Sequence, residues 1–154
     1  MKAIALLLPV LLFSACSDDI KDEIPFLEPC QKINGSVQWD FDGSSYCADG
    51  SIIAGYTIGM SINAQTLSGV ALTMQIDSVQ PGTYAISQIH NAVILTDPLG
   101  LPWTTLDNNA GTVTITSNDT VSNKLQATFN CTLKSPTGAS KQLSNGTIKV
   151  TYIE

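Results

Sequence analysis

The sequence predicts an all-β fold, an antiparallel meander of eight or nine strands that forms a sandwich or a barrel. From Ser36 onward, apolar residues recur at every second position, which is the period of a strand with one buried face. Turn sequences rich in Gly, Pro, Asn and Asp separate these stretches. The 31 Ser and Thr residues, against only 13% charged residues, suit half-exposed strands better than helices.

The first two strands form a hairpin. Apolar and polar residues alternate on both sides of Asp42-Gly43, and this pattern is the strongest short hairpin signal. A two-residue turn places Trp39 opposite Tyr46 on the core side. The same register places Cys47 on the outer face, beside Gln38.

The remaining strands follow in chain order. Apolar residues at even-numbered positions run from Ile52 to Ile62 and from Val70 to Ile76, which predicts two long strands. Further strands are predicted at residues 84–89, 93–96, 111–117, 125–133 and 148–152. Two prolines and a glycine predict a loop at residues 97–109.

The first sixteen residues have the layout of a signal peptide: a positive start, the apolar run Ile4–Phe13, and small residues before Cys16. The run is about half the ~20 residues that a membrane span needs. The sequence F-S-A-C resembles the lipobox of bacterial lipoproteins. This resemblance implies removal of residues 1–15, a diacylglyceryl group on the thiol of Cys16, and acylation, for example with palmitate, of the new amino terminus. The alternative is an ordinary secretory leader.

Residues 16–32 are predicted to be a flexible acidic tether, since five of the thirteen acidic residues lie between Asp18 and Glu28. The predicted β-domain covers residues 33–154. Ser17, where inner-membrane lipoproteins carry Asp, resembles the pattern of lipoproteins sent to the outer membrane. We therefore expect a lipid anchor there, and the sequence leaves open whether the domain faces the periplasm or the cell exterior.

Most of residues 36–153 resemble a family of small, uncharacterised all-β lipoproteins of Gram-negative bacteria, a domain of unknown function. The resemblance lies in the motifs W-D-F-D-G-S-S-Y-C-A, P-G-T-Y, G-T-V-T-I-T, L-Q-A-T-F-N-C-T-L and S-N-G-T-I-K-V-T-Y. These motifs are strand and turn patterns. The resemblance implies an anchor and a fold, and it implies no activity.

Three cysteines remain once Cys16 is set aside, in a compartment where disulfides persist. Cys131 shares the inward face with Phe129 and behaves as a small apolar residue. Because Cys47 faces outward and Cys30 lies where the tether meets the domain, we predict a disulfide between Cys30 and Cys47. No spacing typical of a metal site accompanies these thiols, and neither a metal nor a cofactor is predicted.

Trp103 is the candidate ligand-binding residue, since an exposed tryptophan in the 97–109 loop would stack on a sugar or anchor a partner. The alternative is a side chain that folds back over the end of the sheet. Asp77-Ser78-Val79 and Asp119-Thr120-Val121 resemble a D-[ST]-aliphatic O-glycosylation motif, which makes Ser78 and Thr120 candidate sites.

His90, the single imidazole, is predicted to be a turn residue without a catalytic role. Asp40, Asp42 and Asp49 lie around the first hairpin, but they lack the further ligands of a Ca²⁺ loop.

No constellation of residues indicates an enzyme. The absence of Arg and the net charge of -6 argue against nucleic-acid binding. Two functions remain open: a non-catalytic surface module that binds a glycan or a protein, and a lipocalin-like carrier with an apolar ligand inside the sheet. The membrane, through the lipid on Cys16, is the one partner that both functions share.

Overall fold

Antiparallel strands make up the whole of the described fold. The computed structural model describes residues 30–32 and 34–154, and within these ranges it contains no helix. In chain order the strands are β1 (Gln31–Lys32), β2 (Gly35–Phe41), β3 (Ser44–Cys47), β4 (Ser51–Tyr56), β5 (Met60–Gln65), β6 (Ala71–Ile76), β7 (Gly82–Ile86), β8 (Val93–Thr96), β9 (Pro102–Thr104), β10 (Gly111–Asp119), β11 (Lys124–Lys134) and β12 (Ser140–Thr151). The predicted all-β class is confirmed.

The predicted leader, the lipidated Cys16 and the tether up to residue 29 lie outside the described residues. Within the described ranges, no helix is long and apolar enough to cross a membrane. Strand β1 starts at Gln31 and pairs with β2, so the last two residues of the range assigned to the tether, 16–32, already belong to the sheet.

The β2–β3 hairpin has the predicted register. Trp39 pairs with Tyr46, and Gln38 pairs with Cys47. Both turn residues have positive φ, 53° at Asp42 and 80° at Gly43, which is the conformation that Asp-Gly adopts readily in a two-residue hairpin turn. The two rings of the Trp39–Tyr46 pair lie nearly parallel with centroids 6.0 Å apart.

All twelve strands belong to one connected sheet, in the order β1-β2-β12-β11-β9-β8-β6-β5-β4, with β3 paired to β2 and the β10–β7 pair attached to β11. The branch occurs at β11, whose first residues pair with β10 while Lys134 pairs with Thr104 of β9. The sheet curls into a half-barrel, and a bridge between Gly55 and Ile153 brings the β4 edge to the end of the chain. Of the two predicted architectures, this continuous curled sheet corresponds to the barrel rather than to the sandwich.

Asn91 connects the end of β6 to β7, two strands that do not pair with each other. Its side-chain carbonyl accepts a hydrogen bond from the Asp77 N–H at 3.0 Å, and its amide donates to the Ala85 carbonyl at 2.8 Å. Asn91 is 6% exposed and has a positive φ of 53°, which Asn tolerates better than most residues. One side chain therefore bridges the backbone just after β6 and a backbone carbonyl of β7.

A single cluster of buried apolar side chains fills the inner side of the sheet. It includes Met60 and Met74, which have no exposed surface, and both tryptophans. Cys131 is also part of it, and burial raises the pKa of its thiol to about 12. The thiol of Cys131 is therefore protonated, and its burial confirms the inward position that the strand pattern predicts.

Several predicted strand boundaries are wrong. The strand predicted at 84–89 is β7, Gly82–Ile86, so it begins and ends earlier than expected. The long strand at 52–62 is two strands, because the chain turns at residues 57–59 and leaves Ile58 95% exposed. The predicted 97–109 loop contains β9, and the last strand begins at Ser140 rather than at residue 148. The split of the 52–62 strand, β9 and the two-residue β1 raise the strand count from the eight or nine predicted to twelve.

Cys30 and Cys47 form the predicted disulfide, with Cα atoms 5.1 Å apart. The bond joins the residue before β1 to the end of β3, across 17 positions of sequence. It therefore ties the start of the described chain to the first hairpin.

Candidate functional site

Trp103 does not provide an exposed stacking surface. It lies in β9 and is 7% exposed, so its placement in a loop is wrong and its side chain covers the end of the core. The Phe41 ring packs edge-on against it with centroids 5.5 Å apart, and the Lys141 ammonium lies 4.7 Å from the centre of its ring. Lys141 also pairs with Asp42 at 2.7 Å. Trp103 is thus engaged on several sides by other residues of the domain.

Trp103 also helps to organise the turn before it. Its indole N–H donates to Asp97 at 3.4 Å, and the other carboxylate oxygen of Asp97 accepts the N–H groups of Leu99 and Leu101. The Leu101 N–H is the main cause that lowers the pKa of Asp97. The turn leaves Leu99 84% and Leu101 51% exposed, so the Asp97-centred turn presents two leucines to solvent.

An apolar groove of about 250 Å³ lies on the outer surface of β8 and β9, lined by Gln88, residues 92–94 and residues 104–106. Ile94 and Leu106 supply apolar surface and are 42% and 43% exposed. Beneath them the buried Thr105 hydroxyl accepts a hydrogen bond from the Val93 N–H at 3.1 Å. The groove is therefore an apolar depression on a well-bonded backbone.

A larger and more polar pocket, here called the bulge pocket, lies on the outer face between residues 128–130 of β11 and residues 144–147 of β12. Its volume is about 450 Å³. It forms where the register slips: Phe129 pairs with Gly146 but Cys131 pairs with Leu143, so two residues of β12 lie opposite one residue of β11. The extra residue bends the strand locally and opens the space between the side chains around it.

Two contacts hold the β-bulge in place: a hydrogen bond from Asn145 and the packing of Gly146. Asn145 has a positive φ of 51° and its amide donates to Asp40 of β2 at 2.7 Å. Hydrogen bonds from Ser45 and Asn145 lower the pKa of the Asp40 carboxyl, which favours its ionised form. Gly146 lies against the Phe129 ring, and a Cβ at this position would lie 2.5 Å from a ring carbon. Glycine is thus required at position 146, and Asn145 supplies the hydrogen bond to Asp40.

Sequence reasoning missed this pocket. Asn-Gly at 145–146 reads at first as a turn signal, yet it lies within a 12-residue strand. The available signal is a glycine interrupting an otherwise regular strand pattern, which often marks a β-bulge.

His90 lies in the bend between β7 and β8. Its Nδ1 is 2.6 Å from Asp77, and the two side chains are 71% and 49% exposed. The nearby Ser87 hydroxyl bonds to the backbone of His90 instead of its ring, donating to the carbonyl and accepting from the N–H. These residues therefore meet without the ring-to-hydroxyl hydrogen bond that would activate a serine nucleophile.

The three aspartates near the first hairpin have separate partners. Asp40 accepts from Asn145, Asp42 pairs with Lys141, and Asp49 accepts from the Leu67 N–H at 2.6 Å. Within residues 30–32 and 34–154, no group of three or more His, Cys, Asp or Glu residues is arranged to hold a metal ion.

The two candidate glycosylation residues differ in accessibility. Thr120 is exposed in the turn after β10, beside Val121, which is 95% exposed. Asp119 organises that turn by accepting from Val121 and Ser122, and these hydrogen bonds, that of the Ser122 hydroxyl above all, lower its pKa. Ser78 is half-buried, and its hydroxyl donates to Tyr84 at 3.2 Å. Thr120 is therefore the more accessible hydroxyl.

Comparison with known proteins places the chain within a family. The model of a domain of unknown function, DUF6252, matches residues 34–151, which is most of the described domain. Neither a search of the curated proteins nor a search of the solved structures gives a match. The chain therefore belongs to the DUF6252 family of domains of unknown function.

Proposed function

We propose that this protein is a lipid-anchored, non-catalytic binding module of the bacterial outer membrane that binds a glycan or a protein on the outer face of its sheet. The observation that carries the proposal is the contrast between the two faces of the sheet. Buried apolar side chains pack the inner face, whereas the bulge pocket and the apolar groove open outward.

The packing of the inner face favours this module over a lipocalin-like carrier. A carrier needs the apolar inner side chains to border an open volume. Met60 and Met74, which would border that volume, have no exposed surface and belong to the core cluster. Tyr56 is half-buried against the same cluster.

A non-catalytic role is supported by the arrangement of the one histidine. His90 pairs with Asp77 at the surface, while the Ser87 hydroxyl is used by the backbone. A nucleophile without a base at its hydroxyl is weak.

The lipid anchor rests on the F-S-A-C sequence around Cys16. We expect the wild-type protein, expressed in a Gram-negative host, to incorporate a labelled fatty acid and to sediment with the outer membrane. Cys16→Ala removes the thiol to be lipidated, so this variant should lose the label and enter the soluble fraction. Cys131→Ala is the matched control and should keep both properties. A labelled, membrane-bound Cys16→Ala protein would contradict the proposal.

We also propose that Thr120 carries an O-linked glycan, since its hydroxyl is exposed at a turn. In a native host the intact mass should exceed that of the lipidated polypeptide, and Thr120→Val should remove the difference. Ser78→Ala should leave the mass unchanged apart from the substitution itself. A native mass equal to that of the lipidated polypeptide would reject glycosylation at this residue.

Binding on the outer face is testable by photo-cross-linking on intact cells. A photoreactive phenylalanine in place of Thr128 lies at the bulge pocket, and one in place of Ile94 lies at the apolar groove. A photoreactive phenylalanine in place of the exposed Gln80 lies outside both and is the control. We expect a discrete adduct from one of the first two positions and none from the third. Identical adduct patterns from all three positions would contradict a specific binding face.

A further inference from the structure

We propose that the bulge pocket is the binding site of this module and that its ligand is a neutral, polyhydroxylated sugar unit. This inference rests on the proposed function and specifies its site and ligand. The pocket volume of about 450 Å³ lies within the roughly 300–1,000 Å³ typical of small-molecule sites.

The pocket lining is rich in groups that form hydrogen bonds. Hydroxyls from Thr128, Ser144 and Thr147 and amides from Asn130 and Asn145 line it. Hydroxyl and amide groups both donate and accept, as sugar hydroxyls do. An apolar ligand would instead cover these groups without giving them partners, which is unfavourable.

The hydroxyls of Thr128 and Thr147 are available for this purpose. These two residues are directly paired across β11 and β12. Farther along the same row, Thr83 and Thr114 bond each other at 3.0 Å. Within the described residues, the hydroxyls of Thr128 and Thr147 form no such bond to another side chain, so a ligand would not have to break one.

The charges around the pocket favour a neutral ligand. The residues that line the pocket carry no charged side chain, and the Asp40 carboxylate of β2 accepts a hydrogen bond from the lining residue Asn145 at 2.7 Å. Hydrogen bonds to Asp40 lower its pKa, so it is ionised at neutral pH. An anionic ligand would meet this negative charge and find no cation among the lining residues, whereas a neutral ligand would not be repelled. The electrostatics therefore favour a neutral sugar over a uronic acid.

The pocket is built on a rigid part of the sheet. Gly146 packs against the buried Phe129 ring, and the Asp40–Asn145 hydrogen bond fixes the bulged residue from the neighbouring strand. The lining groups are thus held in place by the sheet before any ligand arrives. Preorganisation of this kind reduces the entropy lost on binding.

The test is isothermal titration of the purified full chain in detergent micelles. The probes are three neutral trisaccharides, maltotriose, cellotriose and triacetylchitotriose, with a trimer of galacturonic acid as the anionic probe. The pocket variant is Thr128→Val/Thr147→Val, which preserves side-chain shape and β-branching. The matched control is Thr83→Val, the same substitution on the same face but two strands away from β11.

We expect one of the neutral trisaccharides to bind, the pocket variant to bind it about tenfold more weakly, and the control to bind it like the wild type. Asn145→Gly, which keeps the positive φ but removes the amide, should also weaken binding. Far-ultraviolet circular dichroism of each variant checks that the sheet is retained.

Three results would overturn the inference. Neutral binding that survives in the pocket variant would place the site elsewhere and leave the binding module intact. Equal or tighter binding of the galacturonic acid trimer would refute the ligand class. If none of the neutral trisaccharides binds, the inference fails, and the cross-linking experiment on cells decides separately whether the module has another ligand.

Discussion

Replacing Gly146 by Ala should destabilise the protein, because the added methyl group has no space. The new Cβ would lie 2.5 Å from one Phe129 ring carbon and 2.6 Å from two others. Carbon atoms at optimal contact are roughly 3.5–4.0 Å apart, so the ring must move by about 1 Å. Because Phe129 is only 2% exposed, its ring has little room to move. Overpacking of this kind lowers the free energy of unfolding by about 1–3 kcal/mol.

Gly55→Ala is the matched control. A Cβ on Gly55 would have its nearest contact, an Ile153 carbon, at 3.7 Å, which is an ordinary distance. This change should range from neutral to about 1 kcal/mol stabilising, because Ala has fewer unfolded conformations than Gly.

Urea unfolding followed by tryptophan fluorescence measures the difference, since Trp39 and Trp103 are both buried. With an m-value of about 1–3 kcal/mol/M, the unfolding midpoint of Gly146→Ala should fall on the order of 1 M below that of Gly55→Ala. The double variant Phe129→Leu/Gly146→Ala should lose less free energy of unfolding than the sum of the two single variants, because the smaller side chain relieves the clash. Equal midpoints for Gly146→Ala and Gly55→Ala would refute the steric account of the β-bulge.

Three further predictions concern bonds and protonation. Replacing Cys30 and Cys47 by Ser should lower the free energy of unfolding by about 3 kcal/mol, the value that the chain-entropy model gives for a loop of this length. Urea unfolding measures this loss. A reductant should have no further effect on the variant. Iodoacetamide at pH 8 should label Cys131 only after unfolding, since burial raises the pKa of its thiol to about 12. Peptide mass mapping detects the label. Labelling of Cys131 in the native protein would contradict its burial. Asn91→Ala should lower the free energy of unfolding by about 2–3 kcal/mol and speed amide hydrogen exchange in β7, because two backbone groups lose their hydrogen-bond partner. Unchanged amide exchange in β7 would contradict the role of Asn91 between β6 and β7.

The acid side of the stability profile should depend on the aspartates of the turns. The pKa of Asp119 is lowered in the folded state, so the stability that its charge contributes is present above its unfolded value near 3.8 and is lost as pH falls through the lower folded value. Asp119→Asn keeps a side-chain acceptor but cannot titrate. The difference in urea midpoint between wild type and variant should therefore shrink as pH falls from 5 to 2, and a constant difference would contradict the argument.

The first hairpin is the part of the fold that the sequence predicts most completely. Alternation on both sides of Asp42-Gly43 predicts which residues pair, and from that register Cys47 faces outward and bonds Cys30. The strand boundaries are less predictable. Alternation continues through residues 57–59, where the chain turns, because period alone does not distinguish one long strand from two joined by a tight turn.

The candidate site was less predictable than the fold. Trp103 is a reasonable candidate from its proline-flanked position, but Phe41 and Lys141, both more than 30 residues away in sequence, enclose it. The bulge pocket needs the register of three strands, β2, β11 and β12, to be known together. No local pattern contains that information.

The sequence by itself determines the all-β class, the first hairpin register, the Cys30–Cys47 pair and the inward position of Cys131. These follow from side-chain period and turn conformation, which act over a few residues. Only the tertiary structure decides that the sheet is one curled half-barrel, that Asn91 joins β6 to β7, and that Asn145-Gly146 forms a β-bulge instead of a turn. Those features depend on which distant strands pair and on how the core fills beneath them, and both are settled by contacts across the whole domain.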